Sequence, residues 1–292
     1  MYIFKWFFIK VLKKTGLIKY FNFYLCKTIN GVQVTIPFIN GMGISNFFTN
    51  PDWLDRIILS CTKDENDTFT DVGVNIGQTL IKVKTIRPRI NYLGFEPNSS
   101  CNSYVQQIIK ANNFQNCNIH NCALSSSIKF LVLEKTLLDD LRASVISMLR
   151  PGYFLEKENV IAIDYDTFFN HQKISFIKID VEGAELDVIK GMKHSIIKYQ
   201  PVIACEVLDC HNLSTYNFIQ ERATELSSLL LSLNYSIIKL VNGTRKSKIT
   251  SFQKIGTIKI EQWTPQSLYT NDYLFYPASK EKEVLVILSK TW

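Results

Sequence analysis

Residues 69–77, which read FTDVGVNIG, combine the residue types of a ligand-binding turn. Apolar and β-branched residues lead to Asp71 and then to Gly73 and Gly77. Glycine lacks the Cβ that would block a positive φ or a close approach of the backbone to a ligand. A helix that begins after Gly77 would offer unpaired N–H groups to a carboxylate or a phosphate. The stretch therefore predicts a strand, a turn and a helix that bind a nucleotide-type ligand.

A second acidic residue follows at a spacing typical of ribose recognition. Glu96 lies 19 residues after Gly77, at the end of an apolar run, and a carboxylate there can accept hydrogen bonds from both ribose hydroxyls. The turn departs from the dinucleotide pattern G-x-G-x-x-G, since Asn75 stands in place of a glycine that would meet a pyrophosphate. S-adenosylmethionine has a ribose and no pyrophosphate. Its methionine carboxylate would meet the turn, with Asp71 toward its cationic end.

The elements that must position these residues alternate along the chain. Strand patterns lie near residues 69–72, 91–95, 117–122, 174–180, 202–207 and 235–240, and helix patterns near 77–87, 99–112, 183–198 and 214–233. Alternation of this kind implies parallel strands joined by right-handed crossovers, and hence an open three-layer α/β fold with a mostly parallel sheet. Small molecules bind such sheets at the carboxyl ends of the strands.

Further elements are predicted around this sheet. Two extra strands at 128–133 and 159–163 indicate an insertion beside it, and residues 272–276 and 284–288 supply late strands that can pair antiparallel. Before the sheet, we predict a strand at 32–37, an ordered loop at 39–48 and an amphipathic helix at 53–61.

The N-terminal segment, residues 1–25, is basic and rich in aromatic residues. On a helical wheel one face is apolar and the opposite face is basic. The apolar face has Phe4, Phe7, Phe8 and Val11, and the basic face has Lys5, Lys10, Lys13 and Lys14. Residues 1–30 hold six lysines and no acid, which accounts for +6 of the net charge of +7, so the body offers no general nucleic-acid surface. The apolar face either packs on the protein or a second subunit, or rests on an anionic membrane.

Composition excludes several classes of protein. A chain of 292 residues with 46% hydrophobic residues can bury a large core, which excludes disorder. No apolar run approaches the roughly 18–20 residues that cross a bilayer, and no secretory signal is evident, so a cytoplasmic location is expected. The seven cysteines are odd in number and lack metal-site spacing, which predicts reduced thiols and no structural metal.

Taken in order, five motifs resemble those of the FkbM-type S-adenosylmethionine-dependent methyltransferases. They are DVGVNIG at 71–77, GFEPN at 94–98, ALS at 123–125, IKIDVEGAELDVIKG at 177–191 and PVIACE at 201–206, with a weaker echo at 273–275. The resemblance implies a Rossmann-like fold and O-methylation, often of sugar hydroxyls, with residues 121–125 near the adenine. The candidate cofactor-binding residues are then Asp71, Gly73, Asn75, Gly77, Glu96, Asn98, Ala123, Leu124 and Asp180.

The candidate catalytic residues follow the later strands. Asp180 and Glu206 come directly after two predicted strands and should point into the cleft. A sugar hydroxyl needs a base or a metal before it reacts, so Asp180 is a hypothetical general base or, with Glu206, a Mg²⁺ ligand. Two carboxylates alone do not make a metal site. Glu182 is a weaker candidate, since it and Glu185 open a helix where acids also satisfy N–H groups, and His211 is the second candidate base.

The leading hypothesis is an S-adenosylmethionine-dependent O-methyltransferase acting on a sugar of a polysaccharide or a lipid-linked glycan. It assigns residues 1–64 to a basic amphipathic segment with a substrate or cap region, and residues 65–292 to the methyltransferase domain. Residues 1–25 would contact the inner face of a membrane. The alternatives are a nicotinamide-dependent oxidoreductase, which the turn speaks against, and a non-catalytic S-adenosylmethionine-binding module attached to a membrane or an assembly.

Overall fold

The structure, a computed structural model, describes residues 9–12, 14–135, 143–144, 156–243 and 248–290. Its strands are β1 (Phe23–Ile29), β2 (Val32–Phe38), β3 (Thr68–Val72), β4 (Asn91–Phe95), β5 (Cys117–His120), β6 (Ala123–Leu124), β7 (Lys129–Lys135), β8 (Ala143–Ser144), β9 (Glu156–Ile163), β10 (Ile174–Ile179), β11 (Val202–Glu206), β12 (Tyr235–Asn242), β13 (Ile249–Ile255) and β14 (Asp272–Pro277). Its α-helices are α1 (Ile44–Phe48), α2 (Trp53–Cys61), α3 (Gln78–Ile86), α4 (Ser99–Asn112), α5 (Tyr165–Phe169), α6 (Glu185–Gly191), α7 (Lys193–Tyr199), α8 (Tyr216–Ser232) and α9 (Glu281–Ser289).

A central eight-stranded sheet organises the fold, in the order β13-β12-β14-β11-β10-β3-β4-β5. The strands from β11 to β5 are parallel, whereas β14, β12 and β13 pair antiparallel. Two hydrophobic clusters flank the sheet, one with side chains from α2, α3, α4 and α9 and the other with side chains from α6, α7 and α8. The predicted three-layer α/β fold of Rossmann-like type is therefore confirmed, with a sheet that is mixed rather than strictly parallel.

Several local predictions hold to within a residue or two. Helix α2 begins after Asp52, whose side chain accepts from the Leu54 N–H at 3.0 Å, while the Asp52 N–H donates to Asp55 at 2.9 Å. This reciprocal cap satisfies N–H groups that the first helical turn leaves free. The inserted strands also form, as β7 and β9 of a separate four-stranded sheet.

The C-terminal strand prediction at 284–288 is wrong, because these residues lie in helix α9. Val284, Ile287 and Leu288 are buried, whereas Leu285 and Val286 are exposed, which is the spacing of one helical face. A short apolar run does not distinguish a buried strand from a helix by periodicity. Strand 235–240 forms as β12, which points the same way as β11 but pairs with the antiparallel β14 that lies between them. The predicted helix 183–198 is divided at Met192, and the predicted loop 39–48 contains α1.

The N-terminal region packs on the core. Ile9, Leu12 and Ile18 are buried in the cluster that covers one sheet face, whereas Val11 is 43% exposed. The hairpin of β1 and β2, of which only the second strand was predicted, contacts α4, where Tyr104 donates to the Pro37 carbonyl at 2.6 Å. Phe4, Phe7, Phe8, Lys5 and Lys13 lie outside the described residues. A boundary at residue 64 and membrane contact both stay predictions.

No helix in the described ranges is long and apolar enough to cross a membrane.

Candidate active site

A cavity of about 290 Å³ lies at the carboxyl ends of β3, β4, β10 and β11. Pockets for small molecules commonly occupy about 300–1,000 Å³, so this one is near the lower end of the range. It brings together ten predicted site residues: Gly73, Asn75, Glu96, Asn98, Ala123, Leu124, Asp180, Glu182, Glu206 and His211. Asp71 and Gly77 do not line it. The four strand ends thus converge as the strand order predicts.

The turn after β3 depends on left-handed backbone. Gly73 has φ 85°, and a Cβ added there would lie 1.9 Å from the carbonyl oxygen of Asp180. Asn75 also has a positive φ of 52°, which asparagine tolerates better than most residues. Gly73 donates its N–H to Phe95 at 2.9 Å, which ties the turn to the end of β4. The turn is therefore packed directly on both neighbouring strands.

Gly77 precedes helix α3 and does not line the cavity. It is the N-cap of α3, and a Cβ there would lie 3.3 Å from the side chains of Val105 and Ile108 on α4. As a glycine, Gly77 has no side chain that could cap the helix. The N-terminus of α3, where Gln78 lines the cavity, can therefore offer its N–H groups to an anionic group.

Glu96 joins the turn to the second strand end. One carboxylate oxygen accepts the Asn75 N–H at 2.7 Å, and the other accepts the Asn98 N–H at 2.8 Å. Burial raises the pKa of Glu96 to about 7, and the two N–H donors oppose that rise. Because each carboxylate oxygen has two acceptor sites, Glu96 can still accept hydroxyl groups from the cavity.

Asp71 is buried and does not line the cavity. It is fully buried, Tyr92 donates its hydroxyl to it, and the Lys178 ammonium lies 3.5 Å away. Burial raises the pKa of Asp71, and Lys178 opposes this. The side chain that sequence reasoning directs toward a ligand is thus placed to hold Lys178.

Lys178 is the important residue that sequence reasoning missed. Its ammonium lies 3.2 Å from Asp180 and donates to the Gly73 carbonyl at 3.1 Å. Burial alone lowers the pKa of Lys178, but the carboxylates of Asp180 and Asp71 outweigh it, so the pKa lies above its ordinary value. The signal was present in the sequence, since residues 178 and 180 share one face of a strand. Lys178 therefore fixes Asp180 relative to the turn.

The turn after β10 presents a second carboxylate to the cavity. Glu182 has φ 52° and is followed by Gly183 with φ 105°. The Gly183 N–H donates to Glu185 at 2.7 Å, and the Gly183 carbonyl accepts from Arg222 at 3.3 Å. Burial raises the pKa of Glu185 to about 7. Glu185 thus supports the turn, as the sequence favoured, while Glu182 lines the cavity.

His211 lines the first cavity and its ring contacts an aromatic side chain. Its imidazole stacks on Trp263 with centroids 4.8 Å apart and planes inclined by 22°. Trp263 and Leu268 also line the cavity. Both come from the segment between β13 and β14, where Leu268 lies in a short 3-10 helix, Pro265–Tyr269. No element is predicted there from the sequence.

A second cavity of about 720 Å³ adjoins the first. The two share Asn75, Gln78, Asp180 and Glu206 among their lining residues. The outer wall of the second cavity is residues 48–54, which precede and open α2, and its floor includes Lys178 and Asp272. The site therefore has two compartments that meet at Asp180 and Glu206.

All seven cysteines are free thiols, as predicted. Within the described ranges, no three His, Cys, Asp or Glu side chains are grouped as a metal site requires. The Mg²⁺ hypothesis therefore has two carboxylates, Asp180 and Glu206, and stays a prediction.

Comparisons with known proteins agree with the motifs. The family model of the methyltransferase FkbM domain matches residues 71–237, more than half of the chain. A protein described as Methyltransferase 1, from Beauveria bassiana (strain ARSEF 2860), is 24% identical over 147 residues, which are 44% of this chain and 59% of that protein. The chain thus spans less than two thirds of the length of this relative.

Solved structures that align with this chain include methyltransferases. Methyltransferase FkbM from Methylobacillus flagellatus KT aligns with a TM-score of 0.45 and 16% identity, over 73% of this chain and 44% of that one. An O-methyltransferase from Bacillus cereus in complex with SAH aligns with a TM-score of 0.42 and 9% identity, over 76% and 79%.

Proposed function

The chain belongs to the methyltransferase FkbM domain family, and we propose that it transfers a methyl group from S-adenosylmethionine to a hydroxyl of a sugar-containing acceptor, in a polysaccharide or a lipid-linked glycan. The observation that supports this most is the pair of adjoining cavities that share Asp180 and Glu206. A transferase needs two ligand sites that meet where the group passes between them.

The first cavity has the chemical groups that S-adenosylmethionine requires. Glu96 offers a buried carboxylate to the ribose hydroxyls, and Phe95, Ala123 and Leu124 offer apolar surface to the adenine. The N-terminus of α3 offers N–H groups to the methionine carboxylate. Bound there, S-adenosylmethionine supplies an electrophilic methyl group on a positively charged sulfur.

The chain's own contribution is to hold the acceptor hydroxyl and take its proton. Asp180 lies at the junction of the cavities, and 38% of its side chain is exposed. Its carboxylate is 3.2 Å from the ammonium of Lys178, which holds it in place. Asp180 accepts a hydrogen bond from the hydroxyl and then its proton as the oxygen attacks. His211 lines the first cavity but not the second, so we assign the base to Asp180. Alignment of the two reactants lowers the activation free energy by about 7–11 kcal/mol.

The proposed function is tested by following the methyl group. The purified chain is incubated with S-adenosylmethionine labelled in its methyl group and with extract of its host, and we expect label in a saccharide fraction. Calorimetry with S-adenosylmethionine and NADH accompanies the assay. Binding of NADH instead would favour the oxidoreductase, and tight S-adenosylmethionine binding without any transfer would favour the non-catalytic module.

Cofactor affinity should depend on pH through Glu96. Because burial raises the pKa of Glu96 to about 7, the carboxylate that accepts ribose hydroxyls becomes protonated as the pH falls below 7. The Kd for S-adenosylmethionine should therefore rise by about tenfold between pH 8 and pH 6. Calorimetry over this range measures it.

The variant Glu96→Gln tests this prediction, and Glu185→Gln is its control. Glu96→Gln should bind more weakly, by about 10–100-fold, and with little dependence on pH. Glu185→Gln removes another buried carboxyl whose pKa is about 7 but which does not line the cavity, so its pH dependence should match that of wild type. An unaltered pH profile in Glu96→Gln would refute the ribose assignment.

A further inference from the structure

The outer wall of the second cavity carries an exposed aromatic ring. Phe48 is the last residue of α1 and lines this cavity, and 37% of its surface is exposed. The preceding residue, Phe47, is only 1% exposed and belongs to the hydrophobic core. The two rings meet edge to face, with centroids 5.5 Å apart and planes inclined by 88°. Phe47 therefore supports the ring of Phe48 from the core side.

Other side chains add apolar surface to the same wall. Pro51, Trp53 and Leu54 line the cavity together with Phe48. The cavity has a volume of about 720 Å³, and small-molecule sites commonly occupy about 300–1,000 Å³. Such sites are lined mainly by apolar and aromatic side chains, with a few polar groups that fix the orientation of the ligand. The ring of Phe48 is thus placed where a bound ligand can cover it.

Hydrogen bonds fix this wall to the elements that form the cofactor site. The buried Asn46 on α1 donates its amide to the Ile76 carbonyl at 2.6 Å, within the turn after β3. Gln78, at the start of α3, donates to the Thr49 hydroxyl at 2.9 Å. Phe48 lies between these two anchored residues in the chain. Its position relative to the turn is therefore set by the fold.

A sugar ring has two kinds of surface, and the cavity matches both. Its C–H groups form an apolar face that an aromatic ring attracts, because the face of the ring is negative. Its hydroxyl groups project from the edge of the ring and need polar partners. Asp180 lines the same cavity as Phe48, so a sugar stacked on Phe48 has a carboxylate within the same compartment for one of its hydroxyls.

We propose that the second cavity binds the sugar ring that receives the methyl group, with the apolar face of this ring stacked on Phe48. The proposal rests on the methyl transfer proposed above, and it adds the residue that orients the acceptor. Phe48 fixes the plane of the sugar ring, and a hydroxyl at the edge of the ring then reaches Asp180.

The variant Phe48→Ala tests this role. Host extract is fractionated, and the fraction that takes label from S-adenosylmethionine with the full wild-type chain is titrated into wild type and variant. We expect the amount of this fraction that gives half the maximal rate to rise about tenfold in Phe48→Ala. The Kd for S-adenosylmethionine should stay within about twofold of wild type, since Phe48 does not line the first cavity.

Three further variants separate stacking from other effects. Phe48→Tyr keeps the aromatic ring, so its half-saturating amount should stay within about twofold of wild type. Phe48→Leu keeps apolar bulk without the ring, so it should weaken acceptor binding as Phe48→Ala does. Phe168→Ala removes another exposed phenylalanine, 48% exposed, that lines neither cavity, and it should change nothing.

Each contrary outcome has a separate meaning. Wild-type behaviour of Phe48→Ala or of Phe48→Leu, with proteins that melt alike, would overturn the stacking role and leave methyl transfer intact. If Phe48→Ala does not fold, the comparison of Phe48→Leu with Phe48→Tyr decides. Label in a product that has no sugar ring would overturn the acceptor class. If no fraction takes label from wild type, the transfer fails and the role of Phe48 fails with it.

Discussion

Replacement of Asp180 by asparagine should lower kcat at least 100-fold and leave the Kd for S-adenosylmethionine within about threefold of wild type. Asparagine keeps the shape of the side chain but does not take a proton, and a positioned general base contributes about 10²–10⁴-fold. Asp180 is the carboxylate that lines both cavities and contacts Lys178 at 3.2 Å. Single-turnover transfer of label, with calorimetry of cofactor binding, measures the two effects separately.

The control for Asp180 is its neighbour in the same turn. Glu182 lines the first cavity only, so Glu182→Gln should reduce kcat less than Asp180→Asn does. Activity of Asp180→Asn within threefold of wild type would rule out the base. Loss of wild-type activity in EDTA, with recovery on addition of Mg²⁺, would instead assign Asp180 and Glu206 to a metal.

Replacement of Gly73 by alanine should abolish measurable cofactor binding. The added Cβ would lie 1.9 Å from the Asp180 carbonyl oxygen, and φ is 85° at this residue. The turn would have to move away from β10, which breaks the Lys178 bond to the Gly73 carbonyl and displaces Asp180. We expect a Kd for S-adenosylmethionine raised at least 100-fold and a free energy of unfolding lowered by about 3 kcal/mol. Calorimetry and thermal unfolding measure both.

Gly31 provides a matched control for this substitution. It also has a positive φ, 78°, but an added Cβ there has no atom within 4 Å. Gly31→Ala should therefore cost only about 1 kcal/mol of backbone strain and leave cofactor binding unchanged. Wild-type affinity in Gly73→Ala would show that the close contact between the two strand ends is not required.

The two compartments have different origins in the chain, which bears on how the acceptor is chosen. The first is built mainly from strand ends and the turns that follow them, whereas the second takes its outer wall from residues 48–54. Loops that lie outside the sheet can change without disturbing the strand ends. Substitutions in residues 48–54 should therefore alter acceptor choice more than cofactor affinity.

Features with a local physical cause were predictable. The turn at 73–77 follows from glycine and asparagine, which adopt left-handed backbone, and the start of α2 follows from an aspartate cap. Alternation of strands and helices places Glu96, Asp180 and Glu206 at strand ends, and the strands that carry them are parallel neighbours of β3 or β10. Their convergence on one cavity therefore followed from sequence order.

Features that depend on distant partners were not predictable. Residues 284–288 form a helix because their buried face packs beside α2, and β12 is not a neighbour of β11 because β14 inserts antiparallel between them. Periodicity describes one segment and contains no information about its neighbours.

The sequence by itself determined the strand ends and turns that form most of the first cavity, since these are read from local order. Only the tertiary structure decided that Lys178 joins Asp71, Gly73 and Asp180, and that residues 48–54 enclose a second cavity beside Asp180. The physical reason is that burial and charge pairing depend on which segments meet in space, and these contacts join residues far apart in the chain.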